Sequence, residues 1–112
     1  GQAAVQLARS ARARVIATAR GADKCERARQ IGADDVIDST VEDVPKRVRA
    51  LTGGRGVDIV IEHVGVATWD ASVRSLRTGG RLVTCGATTG HQAALDLRHL
   101  FARQLTFVGS YM

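Results

Sequence analysis

The chain has 112 residues, 45% hydrophobic and 24% charged, with 4% aromatic residues, so it is at most one folded domain whose core is built from aliphatic side chains. Its net charge of +5 comes from basic residues scattered along the chain, among them Arg9, Arg12, Arg14, Arg27 and Lys46. There is no block of like charge and no interleaved aromatic stripe, which excludes the usual nucleic-acid surfaces, and no apolar run has the length of a membrane span.

The first predicted element is a helix over 1–11, where Ala4, Val5, Leu7, Ala8 and Ala11 recur at helical spacing. A β-branched run, Arg14 to Ala19, reads as a buried strand, and Gly21 breaks it. Ala22, Cys25, Ala28 and Ile31 form the inner edge of a second helix, stopped by Gly32. Asp35 to Asp38 is a short strand. Ser39 and Glu42 have capping-box spacing, which predicts a third helix from there to about Leu51, with Pro45 in its first turn. Thr52 to Gly56 is a turn. Val57 to Val64 is the longest strand signal, nearly continuous apolar as in a strand covered on both faces. Trp69, Val73 and Leu76 mark a fourth helix closed by Gly79 and Gly80. Arg81 to Cys85 is a strand, Ala87 to Gly90 a loop, Leu97 to Phe101 a short helix, and Gln104 to Val108 a last strand.

Strands and helices therefore alternate throughout, with short connections. The pattern predicts an α/β fold of the Rossmann kind, a doubly wound parallel sheet with helices on both faces. The length, and an opening residue other than Met, predict a piece of a longer protein in which the first strand is missing. Ligands of such sheets bind at the carboxyl ends of the strands. Three predicted strands end there in glycine, at Gly65, Gly86 and Gly109, and glycine lets a ligand approach the backbone closely. Gly1, followed by Gln2, opens the first helix, where free N–H groups and the helix dipole suit a pyrophosphate. An acidic residue about 20 positions after such a glycine turn commonly holds the ribose of NAD. Here the strand tip reads Ala19-Arg20-Gly21, with Lys24 one turn into the helix. Two cations suit a 2′-phosphate and favour NADP over NAD, with Asp23 as the ribose ligand in the alternative. Arg20 also disfavours a methyltransferase built on a similar sheet.

At these residues the chain resembles the medium-chain dehydrogenase/reductase superfamily. The stretches Gly1 to Ala8, Leu51 to Asp58, His63 to Gly65, Gly79 to Gly86 and Gln104 to Ser110 are similar, in order, to the cofactor domain of zinc-type alcohol dehydrogenases and quinone oxidoreductases. The resemblance implies an NADP-dependent oxidoreductase acting on an alcohol or carbonyl, or on an activated alkene. It implies that Gly1 ends the phosphate-binding turn, that His63, Val64, Gly65, Gly86 and Ala87 lie near the nicotinamide, and that Gly109 and Ser110 close the far edge. It also implies a homo-oligomer through the last strand, Leu105 to Val108, while the free thiols of Cys25 and Cys85 suit the cytoplasm. The fit of Glu62 to Gly65 with Cys85 to Gly90 is nearest to the zinc-type subgroup.

The chain departs from the family where a glycine usually closes the first helix. Ser10-Ala-Arg-Ala13 stands there instead, so Arg12 must adopt a left-handed conformation if the geometry is kept. His63 replaces a small or apolar residue. Cys25, Cys85, His63, His91 and His99 lack ligand spacing, so no metal is expected in this chain, and zinc would belong to a separate catalytic domain. Free thiols suit a reducing compartment. Thr84, Ser110 and Tyr111 are single hydroxyls without an evident base, so no catalytic residue is expected either. A non-catalytic dinucleotide-binding fragment is the competing reading.

Overall fold

The computed structural model describes residues 2–111, in which five helices and five strands alternate. The chain divides into two compact units, residues 1–47 and 48–112.

The first unit holds α1 (Gln2–Ser10), β1 (Ile16–Ala19), α2 (Ala22–Gln30), β2 (Asp35–Asp38) and the start of α3 (Val44–Leu51). Strands β1 and β2 pair in parallel, with Ile16 opposite Asp35 and Ala19 opposite Asp38. Helix α2 connects them and packs on both. Val15, Cys25 and Ile37 form the buried centre. The strand expected to be buried is only half-buried, with Thr18 exposed, because α2 covers one face of a two-stranded ladder.

Helix α1 closes as its sequence demands. Arg12 donates its N–H to the Arg9 carbonyl at 2.9 Å, and Ala13 donates to Ala8 at 3.0 Å. This pair of bonds is a Schellman turn, and it forces Arg12 to φ 62°. Helix α2 ends in the same turn, with Gly32 at φ 110° in the left-handed position. Arginine at that position carries a steric cost of about 1–2 kcal/mol that glycine does not. Arg12→Gly is therefore expected to raise stability by up to about 1 kcal/mol, after allowing for the greater freedom of glycine in the unfolded chain. A urea midpoint that stays put or falls would show that contacts of the Arg12 side chain offset the strain.

The predicted capping box does not form. Helix α3 starts at Val44, and Asp43 caps it by accepting the Lys46 N–H at 3.2 Å. Ser39 is instead drawn back to β1, where its N–H reaches the Ala19 carbonyl at 2.9 Å. Glu42 accepts the N–H of Asp38 at 2.8 Å. Both residues are used to turn the chain after β2, one step before the helix begins. Pro45 still falls in the first turn.

The second unit holds β3 (Val57–Glu62), α4 (Val66–Ser75), β4 (Leu76–Thr84), α5 (Leu97–Ala102) and β5 (Thr106–Gly109). The strands form a parallel sheet in the order β3-β4-β5. Val73, Leu76, Leu82 and Leu105 make the core, with Val60, Trp69, Leu100 and Phe107 packed around it. Trp69 meets Phe107 edge to face, with ring centroids 5.6 Å apart.

Two expectations are corrected here. Gly79 and Gly80 do not close a helix. Helix α4 ends at Ser75, and Leu76 turns to extended geometry to pair with Val57. The ladder then shifts register, from Val57–Leu76 to Ile59–Arg81, and the two glycines sit in that irregular stretch of β4. Gly79 has φ 79° and donates its N–H to the Arg103 carbonyl at 2.8 Å. Nor is β3 covered on both faces. Val60 and Glu62 point to the α4 side, while Ile59 and Ile61 remain 57% and 48% exposed. Side chains alternate along a strand, so the register carries this open face across to Val83 and Val108.

Candidate functional site

At the tip of β1 the backbone on both sides of Arg20 is fixed. The Ala19 carbonyl accepts the Ser39 N–H, and the Gly21 N–H donates to Asp38 Oδ1 at 3.1 Å. Gly21 stands at φ 92° as the first residue before α2, a conformation that suits glycine. Asp38 also accepts the N–H and hydroxyl of Thr40, at 3.0 and 2.6 Å. The Thr40 hydroxyl, with the N–H groups of Thr40 and Gly21, holds its carboxyl below the usual carboxylate range. Asp38 is thus committed to the turns. Arg20 and Lys24 are both exposed, and neither side chain takes part in an ion pair or hydrogen bond among the described residues. Asp23 lies in the first turn of α2, also exposed. Cys25 is buried, and burial together with Asp38 pushes its thiol pKa up, which leaves it a poor nucleophile.

In the second unit the strand tips carry a more elaborate construction. Glu62, the last residue of β3, is 3% exposed. Its Oε1 accepts the N–H of Val64 at 2.9 Å, the N–H of Gly65 at 3.0 Å and the hydroxyl of Thr68 at 2.7 Å. Its Oε2 accepts the Ser72 hydroxyl. Burial pushes the carboxyl pKa up, but these four donors outweigh it and hold the group below its ordinary value. The sign of the linkage follows. The depressed pKa contributes stability that is complete above the unfolded value and is lost as pH falls through the folded one.

The next two amides of the turn are taken by the loop after β4. Val66 donates to the Gly90 carbonyl at 3.2 Å, and Ala67 donates to Thr89 Oγ1 at 3.1 Å. Thr89 in turn donates its N–H and its hydroxyl to the Val64 carbonyl, each at 2.7 Å. Helix α4 therefore receives its N-terminal cap from residues far along the chain, since Gly65 has no side chain to supply one. The consequence is chemical. All backbone N–H groups from Val64 to Ala67 are spent inside the protein, so this helix start offers none to a phosphate.

The three glycines at the strand tips are there for different reasons. Gly65 has φ 101°, and a Cβ there would collide with the Gly90 carbonyl and stand 3.0 Å from the Ala87 Cα. A Cβ on Gly86 would lie 3.1 Å from the His63 carbonyl. Packing within the chain explains both. A Cβ on Gly109 would meet nothing within 4 Å, so no neighbour among the described residues requires glycine there. Ser110 follows it, its N–H donating to the Thr84 carbonyl at 2.9 Å.

Between the Gly65–Trp69 segment and the loop after β4 lies a cavity of about 220 Å³. Gly65, Gly86 and Ala87 form part of its wall, with Trp69, Thr84 and His91. The Trp69 indole N–H is buried and has no hydrogen-bond partner among the described residues. Of the residues expected near the nicotinamide, the cavity gathers Gly65, Gly86 and Ala87. Val64 stands half-buried behind it, with its polar backbone groups consumed. His63 is exposed at the tip of β3 and does not line it. Gly1 and the Gln2 side chain lie outside the described residues.

The family model for zinc-binding dehydrogenases matches residues 1–112. The chain belongs to the zinc-binding dehydrogenase family. A crotonyl-CoA reductase from Streptomyces collinus is 34% identical over 99% of this chain and 29% of its own length. Among solved structures, an NAD-dependent alcohol dehydrogenase superposes with TM-score 0.92 at 43% identity, over 99% of this chain and 32% of that one. A mycobacterial protein crystallised with NADPH gives TM-score 0.88 at 35% identity, over 98% of this chain and 34% of that one. The chain thus spans about a third of the length of these relatives, and they match the Rossmann-like cofactor domain. The family name mentions zinc, but no group of three or more His, Cys, Asp or Glu residues among the described residues could hold a metal ion. Cys25 and Cys85 are both free thiols.

Glu62 and Thr89 were not legible as site builders. A carboxylate closing an apolar strand, with hydroxyls at Thr68 and Ser72 one helical turn apart, is a signal that could have exposed Glu62. Nothing local marks Thr89, whose partners lie more than twenty residues upstream.

Proposed function

We propose that this chain is the NADP(H)-binding part of an oxidoreductase that moves hydride between the nicotinamide and an alcohol or carbonyl, or an activated alkene. The observation that carries the cofactor choice is a pair of cations whose side chains have no partner among the described residues: Arg20, on a β1 tip whose backbone is locked on both sides, and Lys24, in the first turn of α2. A guanidinium there can pair bidentately with a phosphate. Family membership over the whole chain supports the reaction class. The relatives include both an NAD-dependent enzyme and one crystallised with NADPH, so the residues at the tip must decide.

In this reading Gly1, Gln2, Ala19, Arg20 and Lys24 take the adenosine and pyrophosphate half. The cavity wall at Gly65, Gly86 and Ala87, with His63 and Val64 at the β3 tip, takes the nicotinamide end. Gly109, free of steric demand from within the chain, and Ser110 close the edge. When bound, the nicotinamide supplies the hydride chemistry, and this chain's residues bind and orient it. The substrate-binding part of the enzyme would lie outside these 112 residues, as would any zinc.

A second copy docking along β5 fits its position at the edge of the sheet and the exposed Leu97 and Phe101 of α5. No helix among the described residues is long and apolar enough to cross a membrane, and two free thiols accord with a cytoplasmic setting.

Trp69, the single tryptophan, lines the cavity and reports on its occupant. Titration with NADPH is expected to quench its emission and sensitise the dihydronicotinamide, with NADH binding more weakly. Saturable binding of S-adenosylmethionine, with none of either dinucleotide, would reverse the assignment.

A further inference from the structure

Glu62 is a buried carboxylate beside a cavity, and no lysine or arginine pairs with it among the described residues. Its hydrogen-bond partners are all neutral: two backbone amides and two hydroxyls. The Gly65 amide, 3.0 Å from Oε1, belongs to the cavity wall, so the carboxylate stands one hydrogen bond behind that wall. Its other titratable neighbours are His63, next in the chain, and Cys85, whose N–H and thiol both point at the Glu62 main-chain carbonyl. Neither brings a fixed positive charge.

Two effects follow from this placement. The carboxylate gathers the amides of Val64 and Gly65 inward, which fixes the wall and removes these two donors from any anion. It also leaves a negative charge with no opposite charge paired to it among the described residues, in a poorly solvated place where a charge acts over longer distances than in water. That charge disfavours a phosphate in the cavity and favours a cation.

We propose that Glu62 is a positioning residue for the nicotinamide end of the site, and that its charge biases the cavity toward the oxidised, cationic ring over the reduced, neutral one. This rests on the cofactor reading above. Glu62 touches neither cofactor nor substrate; it acts through the turn from Val64 to Ala67 and through its field. The low carboxyl pKa agrees with a group that stays ionised near neutral pH.

The test compares NADP+ with NADPH by calorimetric titration of the chain. Glu62→Gln keeps the size and one acceptor oxygen of the side chain and removes the charge. It is expected to weaken NADP+ roughly fivefold more than NADPH. An equal change in both affinities, or none, would overturn the electrostatic role, because a merely structural residue would not distinguish the two redox forms. Thr68→Val combined with Ser72→Ala removes two donors and leaves the charge. It should weaken both forms together with their ratio unchanged, and unchanged affinities would overturn the positioning role. If the unsubstituted chain binds neither dinucleotide, the cofactor reading has failed by itself. Amide hydrogen exchange at Val64 and Gly65 then still decides whether Glu62 holds the turn: faster exchange in Glu62→Gln supports it, and unaltered exchange overturns it.

Discussion

Arg20→Asp is expected to weaken NADPH by about a hundredfold while changing NADH by no more than a few fold. A charge-assisted bond to the 2′-phosphate contributes roughly 1.5–3 kcal/mol, and each 1.4 kcal/mol is a factor of ten. The aspartate adds repulsion against NADPH, whereas for NADH it supplies an acceptor for the ribose hydroxyls. Because Asp38 and Ser39 hold the backbone around position 20, the substitution should leave the turn intact. Binding titrations with both dinucleotides read the outcome. A loss of equal size for the two would show that Arg20 does not read the 2′-phosphate, and Asp23 would then be the better candidate.

The largest loss of stability is expected from Gly65→Ala. Position 65 combines a φ of 101° with a Cβ that would overlap the Gly90 carbonyl and crowd Ala87. Left-handed strain costs about 1–2 kcal/mol, and the loop from Ala87 to Gly90 must also withdraw, breaking the bonds from the Val66 and Ala67 amides to Gly90 and Thr89 that cap α4. A total loss of roughly 3 kcal/mol is expected, with the unfolding midpoint as the measure. Gly109→Ala, where a Cβ meets open space, should leave stability within about 0.5 kcal/mol. If cofactor approaches there, that variant should weaken dinucleotide binding instead. The two glycines look alike in the sequence, and this contrast separates the one the protein needs from the one a ligand would need. Equal effects of the two on stability would remove the distinction.

Much of the fold is legible in one dimension. The alternation of β-branched runs with helical spacings marks every strand and helix in order, because a strand buried beside a helix must be apolar in a recognisable period. Asp35 to Asp38 forms the strand its residues suggest. The left-handed Arg12 was also foreseeable, since a Schellman turn imposes the same backbone on whichever residue occupies its last position. Boundaries were less legible. Ser39 and Glu42 have the spacing of a cap, but β1 and the Asp38 amide compete for them and win, so Asp43 takes the cap. Gly79 and Gly80 suggest a stop, but Leu76 has already left the helix to pair with Val57, and it is fully buried there.

By itself the sequence determined the class of fold, the order of its elements, the family and the exposed cations at the β1 tip. These depend on local preference and on motifs carried by neighbouring residues. Only the tertiary structure decided which glycines serve the chain and which stand open, which face of β3 stays uncovered, and that Glu62 and Thr89 brace the turn behind the cavity wall. Each of those depends on groups distant in sequence competing for the same hydrogen-bond donors or the same space. A buried carboxylate is settled by the four donors the fold brings to it, and no local pattern around residue 62 contains them all.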